Sequence, residues 1–352
     1  MKAIVHTQYG PPDVLQVKEV EKPAPKDSEI LVKIHAASAN PLDWHLMRAS
    51  PFFVRLGGGL RKPKDPRLGA DFAGQVEAVG NHVTQFQPGD EVFGAGTGSF
   101  AEYASVPENR VALKPTKSSF EEAAAVPVAA ITALQGLREK GHIHSGQTVL
   151  VNGASGGVGT FAVQIAKAFG AEVTSVCSTR NVDMVRSIGA DHVIDYTQED
   201  FTKNGQHYDL IYDAVGNRSV SDYKRALNPN GTCVIAGFSS LPRLIEHVIL
   251  GPLRSKTGNK KVGLMGKAKM NQKDLVYMKE LLEEGLVVPV IDRRYPLSET
   301  AEALRYLEEG HARGKVVITV DQNDNTSLSI PTLNWSLWHN SSGEGSSYYS
   351  GL

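Results

Sequence analysis

The 352-residue sequence predicts an α/β protein: a β-rich, partly open barrel followed by a doubly wound parallel sheet. Three observations carry this expectation. The short apolar run Val149–Val151 leads into a glycine-rich turn, then into an apolar stripe at Val158, Phe161, Ala162, Ile165, Ala166 and Phe169. From about Phe120 onward, strand and helix patterns of this kind alternate. The roughly 115 residues before that carry short β-branched runs between Pro, Gly and Asp turns.

In the first region, Ile30–Ile34, Gly74–Val79, Glu91–Phe93 and Phe100–Val106 read as strands. Gln87-Pro88-Gly89-Asp90 reads as a turn, because proline presets φ and glycine accepts positive φ. A single helix is expected over Glu121–Lys140. The glycine unit follows, then a strand at Glu172–Cys177, a helix at Val182–Ile188, and strands at His192–Ile194 and Leu210–Tyr212. Ser219–Leu227 reads as a helix and Thr232–Ala236 as a strand. Two more helices are expected, Asp274–Glu284 with Asp274 as N-cap and Ser298–Glu309 with Ser298 as N-cap, with Gly285 and Gly310 just beyond their ends. Lys315–Val320 is a last strand, expected to return to the first sheet. Residues 1–119 with 286–320 would form one domain and residues 120–285 the other. Asp321–Leu352, rich in Ser, Asn and Gly, reads as a disordered tail in which only Trp335 and Trp338 suggest docking.

Strand, glycine turn and helix together make a pyrophosphate site. The glycines let backbone approach the phosphates, and the helix start offers free N–H groups. The spacing is Ala154-x-Gly156-x-x-Gly159, with alanine where the usual fingerprint has its first glycine, so Ala154, Ser155, Gly156, Gly157, Val158 and Gly159 are the expected contacts. NAD sites carry an acid roughly 20 residues further on. Here the chain reads Cys177-Ser178-Thr179-Arg180-Asn181, with hydroxyls and a guanidinium instead. Ser178 and Arg180 suit a 2′-phosphate, so the expected cofactor is NADPH; the other reading of Arg180 is a solvated loop arginine. Val215, Gly216, Gly237 and Phe238 follow strand ends and should face the nicotinamide half.

The formal net charge of −1 argues against a nucleic-acid partner. No apolar run reaches membrane-spanning length, and the start lacks a signal-peptide core, so a cytoplasmic protein is expected. Cys177 and Cys233 fall in expected strands and read as buried thiols.

Several segments stand out as a set: MKAIVHTQYGPPDVL at the start, ASANPLDW (Ala37–Trp44), GADFAGQVEAVG (Gly69–Gly80), PGDEVFG, FAEYASVP, AAVPVAAITALQGL, GASGGVG, SIGADHVIDY, YDAVG and HARGKVVITV. Taken together, they resemble the medium-chain dehydrogenase/reductase superfamily, in its zinc-independent quinone oxidoreductase branch, and are similar to the chloroplast-envelope homologues and their bacterial relatives. The resemblance spans roughly residues 1–320 and implies a GroES-like barrel, a Rossmann domain, a cofactor in the cleft between them and a homodimer. Zinc-dependent relatives bind the metal through Cys, His and Cys; the matching positions here hold Asn40, Ala70 and Val128, so no metal is expected.

Without a Lewis acid, hydride delivery to an already electrophilic quinone or α,β-unsaturated carbonyl is the expected chemistry. The alternatives are an enoyl-thioester reductase, with Arg61–Lys64 as thin support, or a non-catalytic NADPH-binding protein. By resemblance, Asn40 and Asp43 line the nicotinamide pocket, Asn40 donating to the substrate oxygen; the other reading is a pair of Asx turns. Trp44 is either an apolar wall or core. Thr132 resembles the hydroxyl near the nicotinamide ribose, or else bonds back to its helix. Tyr196 resembles the tyrosine beside the adenosine phosphate, or is a surface residue. Gly314 and Lys315 resemble the terminal motif near the cofactor, with a solvated Lys315 as the other reading. Pro51–Arg67 reads as a loop at the cleft mouth, with Phe52, Phe53 and Leu56 walling an apolar acceptor and Arg55, Arg61 and Lys62 attracting an anionic one. No proton donor stands out.

Overall fold

The structure, a computed structural model, describes residues 1–52, 54–255 and 259–320, without the side chains of 250 and 253–255. Phe53 and the whole segment from Asp321, with Trp335 and Trp338, lie outside the described residues.

The strands of the N-terminal region are β1 (Lys2–Val5), β2 (Gln16–Glu19), β3 (Glu29–Ala39), β4 (Asp71–Val79), β5 (Glu91–Ala95), β6 (Tyr103–Pro107) and β7 (Val111–Leu113). Next come β8 (Thr148–Asn152), β9 (Glu172–Cys177), β10 (His192–Asp195), β11 (Tyr208–Asp213), β12 (Leu227–Ile235) and β13 (Lys261–Leu264), and last β14 (Ile291–Pro296) and β15 (Lys315–Thr319). The helices are α1 (Pro41–Arg48), α2 (Val54–Gly58), α3 (Phe120–Ala124), α4 (Pro127–Gln135), α5 (Gly157–Ala168), α6 (Val182–Ser187), α7 (Val220–Ala226), α8 (Leu241–Ser255), α9 (Gln272–Glu283) and α10 (Thr300–Glu308).

Strands β10-β9-β8-β11-β12-β13 form one parallel sheet in that order. The order runs outward both ways from β8, the arrangement of a doubly wound dinucleotide fold. A second sheet runs β14-β15-β3-β4-β5-β7, with β6 also on β3. The last strand does return, as expected: β15 lies antiparallel to β3, pairing Val317 with Ser38 and Ile318 with Ala37.

Strand β8 is apolar at Val149, Leu150 and Val151 because helices cover both faces of its sheet. Helix α5 turns Phe161, Ala162, Ile165 and Ala166, all fully buried, into the same core as Val149 and Val151. A separate core in the other sheet packs Ile30, Val32, Ile34, Phe72 and Phe100.

Three local expectations are corrected. The helix expected over Glu121–Lys140 breaks. Ser119 and Glu122 cap α3 reciprocally, Pro127 starts α4 at a position where its missing N–H costs nothing, and Gly136–Lys140 forms a π turn. Asp274 is not an N-cap. Asn271 holds that place and Asp274 follows three residues later, buried against Gln135 and Arg138. Ser298 lies in a 3₁₀ turn, and α10 begins at Thr300, whose hydroxyl donates to the Leu297 carbonyl. The sequence reading also missed β1, β2, β7, α1, α2, α8, β13 and β14.

Candidate active site

The glycine turn joins β8 to α5. Gly153 has φ +78°, and a Cβ on Gly159 would lie 2.0 Å from the Gly153 carbonyl oxygen. Gly159 is therefore glycine so that helix and turn can touch. Gly156 differs. A Cβ there meets nothing closer than 3.5 Å, so that glycine leaves open a space the protein itself does not fill. It is the N-cap of α5, and the first N–H groups of a helix have no partner within it. An open cradle lined by such donors fits a pyrophosphate.

Ser155 and Ser178 stand beside this turn. The buried Asn181 donates to both hydroxyl oxygens, at 3.0 and 3.2 Å, which leaves each serine proton free to donate outward. Arg180 lies on the rim, its guanidinium 3.4 Å from the His311 carbonyl, and Arg313 donates to the Arg180 carbonyl at 3.3 Å. Tyr196 is exposed at the end of β10, with its backbone N–H on the Cys177 carbonyl. The same rim holds a carboxylate, Asp195, which accepts from Thr179 and Thr197.

At the next strand ends, Asp213 is fully buried and organises the loop after β11. One carboxylate oxygen accepts the Val215 and Gly216 N–H groups, each at 2.7 Å; the other accepts from Tyr223 and Asn152. A Cβ on Gly237 would lie 2.1 Å from the Ala214 carbonyl oxygen, so backbone presses on backbone where Val215, Gly216, Gly237 and Phe238 come together.

Opposite stands a buried polar cluster. Asn40 caps α1, and the Asp43 carboxylate accepts the Asn40 N–H at 2.8 Å. The Asn40 amide N–H₂ donates to the Ser38 carbonyl (3.3 Å) and to Asp71 (2.9 Å), while its oxygen accepts from the Lys315 ammonium at 2.7 Å. Asp71 also accepts from Ser38 (2.9 Å), Lys315 (3.3 Å) and the Val128 N–H (2.9 Å). Both amide protons of Asn40 are thus spent within the protein and are not presented to a substrate. Lys315 is not solvated: it is 3% exposed, and its ammonium points at Asn40 and Asp71 rather than outward. Its stem runs under the glycine turn, where a Cβ on Gly157 would lie 3.1 Å from the Lys315 Cδ. Burial raises the Asp43 carboxyl to about 7. Thr132 follows its second reading, donating to the Val128 carbonyl at 2.6 Å, and its oxygen retains acceptor capacity.

The positions matched to zinc ligands do gather, because Asn40 and Val128 both bond to Asp71 and Ala70 precedes it. The donor set does not fit zinc. Ala70 and Val128 offer no ligating atom, and the Asn40 oxygen is taken by an ammonium. Among the described residues no group of three His, Cys, Asp or Glu could hold a metal ion.

A cleft of about 440 Å³ opens between Trp44, His45, Ser50, Pro51 and Phe52 on one side and Phe238, Ser239 and Leu241 on the other. Trp44, left open between wall and core, is half-buried and lines it, as does the expected wall residue Phe52. Asp71, Asp213, Asn181, Arg313 and His45 were missed as site residues. Asp71 and Asp213 sit inside GADFAG and YDAVG, and a lone Asp amid apolar strand residues was the available signal.

Known proteins match this chain over most of its length. Residues 26–116 match the alcohol dehydrogenase GroES-like domain, and residues 188–318 match a zinc-binding dehydrogenase family. A 2-methylene-furan-3-one reductase from Solanum lycopersicum is 37% identical over 335 residues, covering 90% of this chain and 79% of that protein. A chloroplast envelope quinone oxidoreductase homolog from Arabidopsis thaliana is 34% identical, covering 90% and 98%. The quinone oxidoreductase of Coxiella burnetii superposes with a TM-score of 0.80 at 31% identity, covering 91% and 99%. The Escherichia coli quinone oxidoreductase in complex with NADPH superposes at 0.77 with 25% identity, covering 91% and 100%.

Proposed function

The chain belongs to the medium-chain dehydrogenase/reductase superfamily, among its quinone oxidoreductases, and from that membership we propose an NADPH-dependent, metal-free reductase of quinones and α,β-unsaturated carbonyls. The observation that carries the reading is an open glycine turn together with an apolar cleft. The open cradle at Gly156 suits a pyrophosphate, and the apolar cleft at Phe238 suits a planar acceptor at the nicotinamide end. Bound NADPH supplies the hydride. The protein holds the acceptor against aromatic walls, and its strand-end loops, fixed by Asp213, shape the nicotinamide side.

No metal is needed for this chemistry. An enone or quinone is already electrophilic, and Asn40, at a position matched to a zinc ligand, has its oxygen bonded to Lys315, itself paired with Asp71. The test is turnover of NADPH against a panel of enones and 1,4-quinones after exhaustive chelation. Rates unchanged by chelation are expected. Cofactor binding with no acceptor reduced would point instead to a binding protein.

NADPH over NADH rests on the rim formed by Arg180, Arg313 and the outward hydroxyl of Ser178, with no carboxylate between Cys177 and Asn181. The Asp195 carboxylate is tied to two threonines. Arg180→Ala is expected to weaken NADPH binding by about 1–3 kcal/mol, the range for losing a charged hydrogen-bond partner, and to leave NADH little changed. Equal affinity of the wild-type protein for both cofactors would contradict this.

Among the described residues no helix is long and apolar enough to cross a membrane. The Arabidopsis relative carries a chloroplast-envelope name, so the cytoplasmic expectation gains no support there.

A further inference from the structure

Reduction of an enone leaves a step that hydride delivery does not complete. Hydride adds to the β-carbon and the π electrons move onto the carbonyl oxygen, giving an enolate. The α-carbon must then receive a proton. A quinone has no such need on the protein, because its hydride adduct departs as a hydroquinone monoanion, a stable phenolate.

The cleft contains one group able to supply that proton. Of its described lining residues, only His45 carries a titratable side chain. Its ring is held on three sides: it stacks on Trp44 with centroids 3.7 Å apart, faces Phe238 at 5.4 Å, and lies 2.6 Å from the Ser50 carbonyl through Nδ1. A carbonyl oxygen only accepts, so Nδ1 must carry a proton. Nε2 has no protein partner among the described residues. Phe238 follows the end of β12 beside Gly237, so the ring lies across the cleft from the loops expected to face the nicotinamide.

We propose that His45 is the proton donor for enone reduction, its imidazolium giving the Nε2 proton to the enolate α-carbon and recovering it from water. The inference rests on the reductase reading above. In the step, the Nε2–H bond breaks as the α-carbon–H bond forms, and the ring returns to its neutral Nδ1–H form.

Burial lowers the His45 pKa from its ordinary value. No charge opposes this from the packed elements. On α1, Asp43 is turned to the Asn40 N–H and Arg48 is paired with Glu308. On α2, Arg55 lies over the Tyr9 and Phe52 rings, and on α8 Arg243 pairs with Glu246. The imidazolium is therefore the minor form at neutral pH, and enone turnover should fall as pH rises through this lowered pKa.

His45→Asn tests the assignment, since the asparagine amide stands where Nδ1 stands and keeps a donor for Ser50 but cannot titrate; His45→Gln is the second variant, and unchanged NADPH binding is the check on folding. Kinetics are measured with one enone and one 1,4-quinone across pH. The expected result is a drop of roughly 100-fold in the ratio of enone to quinone kcat, in the range of general acid catalysis, with loss of the falling alkaline limb for the enone. A parallel drop for both acceptors would show a purely structural role and overturn the proposal. So would an unchanged ratio, or a wild-type protein that reduces only quinones. A wild-type protein that binds NADPH and reduces neither acceptor defeats the reductase reading itself, and the proton role with it.

Discussion

Gly156→Val should fold and fail to bind cofactor. A Cβ at this position meets no protein atom closer than 3.5 Å, so the native packing has room for it. The variant loses only a helix N-cap, a cost of about 1 kcal/mol. The added side chain instead fills the cradle in front of the first N–H groups of α5. Affinity for NADPH should drop by roughly 100-fold or more, about 2.7 kcal/mol, as read by fluorescence titration. Gly159→Val makes the contrast. Its Cβ would sit 2.0 Å from the Gly153 carbonyl oxygen, a backbone atom that cannot yield, and soluble folded protein is not expected. If Gly156→Val binds NADPH as tightly as wild type, the pyrophosphate lies elsewhere.

The second large effect is on stability. Asp71 accepts from Ser38, Asn40, Lys315 and Val128 in a site from which water is excluded. Asp71→Ala strands a buried ammonium and leaves an amide N–H without its acceptor. Breaking one side of a buried ion pair costs about 3–5 kcal/mol, measured here by denaturant unfolding. The double variant Asp71→Leu with Lys315→Met removes both charges and should be more stable than Asp71→Ala, because no charge is left unpaired. A single variant that unfolds at the wild-type midpoint would show that the pair contributes nothing.

Much of the architecture was legible because it is written in local periods. The stripe from Val158 to Phe169 could belong only to a helix on a sheet, and β8 and β11 carry the short apolar runs Val149–Val151 and Leu210–Tyr212. Elements that depend on tertiary contacts were not legible. Strand β2 is exposed throughout, and β14 (Ile291–Pro296) has no fully buried residue, so neither alternates cleanly. Helix boundaries failed where a side chain had two possible jobs: Asp274 has the chemistry of a cap but is used as a buried acceptor for Gln135 and Arg138. At the site, the resemblance singled out Asn40, Asp43 and Lys315, which the structure brings together. It could not show that they bond chiefly to one another, since Asp71, which joins Asn40 and Lys315, lies 31 residues from one and 244 from the other in sequence.

The central claim is that hydride passes from a nicotinamide to an electrophilic carbon in the cleft at Phe238. The direct test uses NADPH carrying deuterium at C4 on the transferred face, with a simple enone as acceptor and mass and NMR analysis of the product. One deuterium at the β-carbon of a saturated ketone, with the α-proton drawn from solvent, is the predicted result. Oxidation of the cofactor without deuterium in the product, or deuterium on the carbonyl carbon of an allylic alcohol, would contradict it.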